Sequence, residues 1–178
     1  MDKLVDQGKC KAIGVSNYPL MLLHDLVTQA RIPPACNQIE VHAYYTRELV
    51  VNYCHSRNIC VVAHTPLVGG LQNKETWNYD APIESPVVQQ IATAHNVSPA
   101  QVLLRFLLQR GIVVIPKSVK PDRINENIDL FSFALSEDEM GQIAKLDKYV
   151  SYKTYPNPID AVVGGPDKFA ANGTDIFD

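Results

Sequence analysis

Ile59-Cys-Val-Val-Ala63 is an unbroken apolar run, and what stands on either side of it decides the fold. A run with no polar alternation is the pattern of a strand covered on both faces. Just before it, Thr46 is placed to cap a helix running through Glu48 to Ser56. Further back, Cys36 to Val41 (CNQIEV) reads as a strand, Pro19 to Ala30 as a helix with leucines at helical spacing, and Cys10 to Val15 (CKAIGV) as the first strand. In the other direction, a long loop holds Gly69-Gly70, Trp77 and Pro82, and a helix is expected around Ser85 to His95. Ser98-Pro99 opens another that continues to Gln109, an N-cap serine followed by proline at the first helical position. Gly111 closes that helix. Ile112 to Ile115 (IVVI) is the fourth strand. Pro121 begins a helix through Asp129, and Ser136 caps SEDEMGQIAKLDK with Glu139 three residues on, a capping box.

Strand–helix alternation with apolar strands means a parallel α/β sheet. A closed parallel barrel takes eight strands and typically ~250 residues, whereas this chain of 178 residues carries about half of them. An open four-stranded parallel sheet would leave hydrophobic edges exposed. The expectation is therefore about half of a (β/α)8 barrel over residues 1–148, unfinished on its N-terminal side. Residues 149–178, rich in Pro, Gly and Asn, read as an irregular tail. No internal repeat is apparent.

Composition narrows the function. The formal net charge of -3 gives no electrostatic reason to expect nucleic acid. No segment approaches the ~18 apolar residues of a membrane span, and MDKLVDQGKCKAIG has no signal-peptide core. A cytoplasmic setting is the expectation. Cys10, Cys36, Cys54 and Cys60 form no CxxC pair and read as simple buried thiols. The sequons at Asn96 and Asn172 carry no meaning without secretion. No GxGxxG follows a strand, since Val68-Gly-Gly and Val163-Gly-Gly are isolated turn doublets, and there is no GxSxG elbow.

The chemistry concentrates in Ile115-Pro-Lys-Ser-Val-Lys-Pro-Asp-Arg-Ile-Asn-Glu-Asn127. It sets Lys117, Ser118, Lys120 and Arg123 between a strand and a helix, where free N–H groups and the positive end of the helix dipole favour an anion. Arg123 adds a forked donor and Lys117 a compact charge. By charge alone, a solvated basic turn explains the segment equally well.

The order of residue types is more specific than the charge. The segment resembles the aldo-keto reductase signature, in which a Lys-Ser pair after the final strand precedes an arginine and then Glu-Asn. Three more motifs match in order: Gly14-Val-Ser-Asn17, Asn37-Gln-Ile-Glu-Val-His42 and Ala63-His-Thr-Pro-Leu67, each at the C-terminal end of a strand. Singly, each is explained by capping or turn hydrogen bonds. Together they resemble the C-terminal half of that family's barrel.

The resemblance implies NADPH as cofactor and a small aldehyde or ketone as substrate. Lys117, Ser118 and Arg123 would hold the 2′-phosphate, and Glu126 and Asn127 would lie against the adenine. Ser16, Asn17 and Gln38 would hydrogen-bond the nicotinamide carboxamide, and His64, Thr65 and Leu67 would line the same end. Departures are visible. His64 stands where the family usually has an aromatic ring stacked on nicotinamide, Ala43 where it prefers proline, and Lys120 where it has a small hydroxyl residue. The family's catalytic Asp, Tyr, Lys and His belong to earlier strands, and Tyr44, Tyr45, Tyr53, Lys117 and His42 match none of them. Trp77, Tyr79 and the tail align with substrate-pocket loops but match no motif. Two readings remain open: a carbonyl reductase of which this chain carries the cofactor half, and a non-catalytic nucleotide- or partner-binding half-barrel. The oligomeric state is open as well.

Overall fold

In the computed structural model, residues 1–68, 81–149 and 151 are described. Gly69-Gly70, Trp77, Tyr79, the Val163-Gly-Gly doublet, the Asn172 sequon and the tail beyond Ser151 lie outside the described residues.

The strands are β1 (Val15–Ser16), β2 (Cys36–Glu40), β3 (Cys60–His64) and β4 (Ile112–Val114). They pair in parallel in the order β1-β2-β3-β4. A doubly wound nucleotide-binding sheet reverses its strand order at a switch point; this sheet never does, so successive strands step steadily sideways as in a (β/α) barrel. Between the strands lie α2 (Leu20–Gln29), α3 (Glu48–Ser56), α4 (Pro86–His95) and α5 (Pro99–Gln109), and after them α6 (Pro121–Ile128) and α7 (Glu137–Ala144). A short α1 (Asp2–Asp6), not expected from the sequence, precedes β1. Arg31 reaches Asp2 at 3.4 Å and Asp6 at 2.8 Å and ties α1 to the loop after α2.

Local chemistry sets most boundaries. Ser136 and Glu139 form the expected capping box, and Ser98 forms a second one with Gln101. Gly111 follows the α5 C-cap Arg110 with φ +72 and returns its N–H to Leu108 O at 2.9 Å. Two expectations are corrected. The first strand begins at Val15 and not Cys10, although Ala35 N–H still bonds Ile13 O at 2.7 Å. Thr46 does not cap α3, because Arg47 occupies the N-cap in a left-handed conformation. The Thr46 hydroxyl instead donates to the Asp147 carboxylate, which also accepts the Thr46 N–H at 3.2 Å.

One face of the sheet packs on the helices. Ile39, Val61, Ala63 and Ile112 join Leu23, Val51, Cys54, Ile91, Phe106, Leu107 and Ile143 in a single core. A buried apolar side chain of this size contributes about 1.5–3 kcal/mol, so this face holds the sheet. The other face is covered unevenly: among the described residues Glu40 is fully buried there and Gln38, Val62 and His64 are half-buried, whereas Cys60, Val113 and Ile115 are exposed. The cysteines divide in the same way. Only Cys54 is buried; Cys10 and Cys36 are half-buried and Cys60 is exposed, so the expectation of four buried thiols is wrong for three of them. Burial pushes the Cys54 thiol above its ordinary pKa, opposed by a hydrogen bond with Asn37.

Candidate functional site

Parallel pairing brings the C-terminal ends of all four strands to one end of the sheet, and every expected site residue is at or beyond that end or one pleat inside it. The register sets Ser16 beside Gln38 and Glu40 beside His64. The Ser16 hydroxyl and the Asn17 N–H both donate to Gln38 O, each at 2.9 Å. Asn17 sits at φ 59, in the left-handed region that asparagine tolerates. Its amide Nδ2 donates to Ser16 Oγ at 3.1 Å, and its Oδ1 lies 3.3 Å from His64 Nε2. The Thr65 hydroxyl is 3.0 Å from His64 Nδ1. The amide oxygen can only accept, so Nε2 of the ring donates to it. Ser16, Asn17, His64 and Thr65 thus form one hydrogen-bonded chain across the mouths of β1 and β3, with Gln38 on the strand between them.

Backbone conformation marks the same place. Thr65 has φ 55 and Val68 φ 53. A β-branched residue in the left-handed region costs on the order of 1–3 kcal/mol, and such strain gathers at functional sites. Leu67, between them, is half-buried and packs on the core.

The second group lies across the sheet, where β4 runs into α6. Lys117 and Arg123 are exposed, Ser118 is half-buried, and among the described residues neither cation makes an ion pair or a hydrogen bond. Ser118 Oγ accepts the Lys120 N–H at 3.2 Å, which folds the turn, and Lys120 is the α6 N-cap without a side-chain cap. The first turn of α6 therefore keeps uncapped donors beside two free cations. Glu126 is exposed and Asn127 half-buried further along α6. The structure joins Ser16, Asn17, His64 and Thr65 through hydrogen bonds beside the Gln38 carbonyl, whereas Lys117, Ser118 and Arg123 share the β4–α6 segment with no hydrogen bond between them among the described residues.

Sequence reasoning passed over some supporting residues. Asn37 is fully buried, and its side chain clasps Tyr18 by accepting from the N–H at 3.4 Å and donating to the carbonyl at 3.0 Å, which anchors the turn after Asn17. Glu40 is fully buried and lies 3.1 Å from His42 Nε2, and the Ser151 hydroxyl donates to its other oxygen. A lone carboxylate inside the strand pattern CNQIEV was the available signal for that cluster. A cavity of about 290 Å³ lies elsewhere, along α3, with Thr46, Glu48, Arg110 and Asp147 in its lining and none of the expected site residues. Burial holds the Arg110 guanidinium below its ordinary pKa, against the pull of Glu48 and Asp147, and Arg110 donates to Thr46 O at 2.9 Å. That cavity is braced by a structural arginine. No helix among the described residues is long and apolar enough to cross a membrane, and no group of three or more metal-ligating side chains occurs among them.

Comparison with known proteins agrees with this geometry. The model of the aldo/keto reductase family matches residues 1–148. Aldo-keto reductase family 1 member A1-A of Danio rerio is 41% identical over 148 residues, which are 83% of this chain and 46% of that protein. The NADP-dependent D-sorbitol-6-phosphate dehydrogenase of Malus domestica is 38% identical over 154 residues, 86% of this chain and 49% of that one. Among solved structures, a crystal structure of an aldo-keto reductase complexed with NADPH superimposes with a TM-score of 0.78 at 35% identity, covering 82% of this chain and 45% of that one. The chain thus spans about half the length of the curated relatives it matches. On fold, strand-end motifs and similarity alike, it belongs to the aldo/keto reductase family.

Proposed function

We propose that the chain carries the dinucleotide-binding half of an NADPH-dependent reductase of aldehydes and ketones. The observation that carries the reading is the β4–α6 turn: Lys117 and Arg123, exposed and without ion pairs among the described residues, beside the uncapped first turn of α6. Two cations that make no ion pair among the described residues suit a doubly charged phosphate, and the planar fork of Arg123 matches two of its oxygens. Ser118 adds a hydroxyl at the same turn. The nucleotide's adenine would then lie along α6 by Glu126 and Asn127.

At the other strand ends, Ser16, Asn17 and Gln38 offer the donors and acceptors a carboxamide needs, and the bonds of Ser16 and Asn17 to each other and to the Gln38 backbone carbonyl hold those two in place before any ligand arrives. His64, oriented by Asn17 and Thr65, presents its ring where the nicotinamide would stack. An imidazole offers less area than a larger aromatic side chain, so the stacking contact is correspondingly weaker. Leu67 and Thr65 close that side. A dinucleotide bound there would supply hydride to a carbonyl carbon. The residues of this chain bind and orient it, and none of them matches the family's proton donor.

Titration of the purified chain with NADPH and NADH tests this. Arg123→Ala should weaken NADPH binding about 10- to 100-fold, the size of one lost charge-assisted contact, and leave NADH nearly unchanged. Equal losses for the two, or no binding of either by the parent chain, would refute the assignment. Turnover of an aldehyde by the chain alone would refute the division of labour between cofactor and catalytic halves.

A further inference from the structure

His64 is the titratable member of the hydrogen-bonded chain at the mouths of β1 and β3. Its Nε2 is 3.3 Å from Asn17 Oδ1, which can only accept, and its Nδ1 is 3.0 Å from the Thr65 hydroxyl, which can donate or accept. A bare Nδ1 accepts the Thr65 proton, and a protonated Nδ1 donates to the Thr65 oxygen. The ring thus keeps both bonds and its place whether it is neutral or cationic. Among the described residues, Glu40 is its register partner on β2 and shares its sheet face. That carboxyl group is fully buried, 3.1 Å from His42 Nε2, and accepts from the Ser151 hydroxyl. From β1 the facing group is Asn17, and from β4 the residues on that face are Val113 and Ile115, so neither side brings a charge before Lys117. Tyr44, with the Lys148 amine 3.9 Å from its ring centre, packs on Val68 further along the loop after β3. Cys54 of α3 is in the core on the opposite face.

We infer that His64 discriminates the oxidised from the reduced dinucleotide through its own charge, so that a proton on the ring disfavours NADP⁺ and spares NADPH. The inference rests on the cofactor reading above. A carboxamide held by Ser16, Asn17 and Gln38 brings its attached ring in beside Asn17, the residue to which His64 is bonded, so the two rings are neighbours. The oxidised nicotinamide ring is a cation and the dihydro ring is neutral. A neutral imidazole offers a cationic ring a π-face, whereas an imidazolium sets a second positive charge against it. Like charges a few ångströms apart near a protein surface disfavour each other by about tenfold or more. By reciprocity, bound NADP⁺ opposes protonation of His64 by the same factor. Histidine is the side chain that titrates closest to neutrality, so the discrimination falls within the physiological range. For a reductase the consequence is that acid weakens retention of the spent cofactor and leaves the loaded one in place.

The test titrates the full 178-residue chain with NADP⁺ and with NADPH, by calorimetry, from about pH 8 to about pH 5.5. His64→Phe, which keeps an aromatic face but takes no proton, and His64→Gln, which keeps a polar one, are measured alongside. The readout is the ratio of the NADP⁺ to the NADPH dissociation constant. The 2′-phosphate also titrates in this range, but it is common to both forms and cancels in the ratio. In the parent the ratio should rise about tenfold or more on acidification, and in both variants it should stay within about twofold. The His64 Cε1–H resonance, identified by its absence from the variants, should titrate at lower pH with NADP⁺ bound than with NADPH. A parent ratio indifferent to pH, or an equal rise in His64→Phe, would overturn the inference and leave the cofactor site standing. Failure of the parent to bind either form at any pH would overturn the cofactor reading, and this inference with it. Circular dichroism across the pH range confines the comparison to folded protein.

Discussion

Substituting Gly14 by alanine should destabilise the chain for want of space, not for want of backbone freedom. Gly14 does not have a left-handed φ, so the conformation itself admits any residue. The added β-carbon would lie 2.4 Å from the Cys36 sulfur and 3.0 Å from the Cys36 carbonyl oxygen. The sulfur can swing aside by rotating about χ1, but the carbonyl belongs to β2 and moves only if the β1–β2 pairing opens. Overpacking of this kind costs about 1–3 kcal/mol, and for a chain of this size that lowers the melting temperature by about 2–4 °C per kcal/mol. The same shift would move Ser16 and Asn17, two and three residues further on, off the Gln38 carbonyl they share. Thermal unfolding of Gly14→Ala, Cys36→Ala and the double variant measures it. Removing the sulfur should recover part of the loss and leave the carbonyl contact unrelieved. A single variant that melts within about 1 °C of the parent, or a double variant with no recovery, would refute the steric reasoning.

Gly141 is the counterpart: it lies inside α7, exposed, with nothing within 4 Å of a built β-carbon. Gly141→Ala should raise stability by about 0.5–1 kcal/mol through helix propensity alone, read as a higher melting temperature; a fall would show that the position is packed. Glu139 predicts a pH dependence. Burial favours its neutral form, yet hydrogen bonds from Ser136 N–H and hydroxyl and from His95, at 2.9 Å, outweigh it and hold the carboxyl below its ordinary pKa. A pKa depressed on folding contributes stability that is complete above the unfolded value of about 4.3 and is lost as pH falls through the folded value. Melting temperature should therefore drop as acid is added below about pH 5, and Glu139→Gln, which can still cap the helix, should flatten part of that drop; an unchanged profile would remove Glu139 from the account.

What could be read in the chain beforehand was what neighbours in sequence determine. The Ser136–Glu139 box, proline after Ser98 and the left-handed glycine at 111 act within one turn, and all three stand where the pattern places them. The strand-end residues Ser16, Asn17, Gln38, His64 and Thr65 come together because parallel strands share one end. Thr46 was misread because its partner, Asp147, is 101 residues away, beyond any local pattern. The Asn37 clasp on Tyr18 was hidden for the same reason, being a side-chain role fixed by a neighbouring strand's turn. The run at Ile59 to Ala63 shows that a strand is apolar, but not how evenly its faces are covered, and Cys60 is exposed while Val62 on the same face is half-buried.

The Ser151 hydroxyl bound to Glu40 has a practical consequence for anyone shortening this polypeptide. Composition invites a cut after Lys148, where prolines and asparagines begin to accumulate. Such a cut would withdraw a hydrogen-bond partner from a carboxyl group that water cannot reach, and taking a partner from a sealed polar group is costly. The natural place to stop is beyond residue 151, because the last bolt of the sheet's second strand is supplied from there.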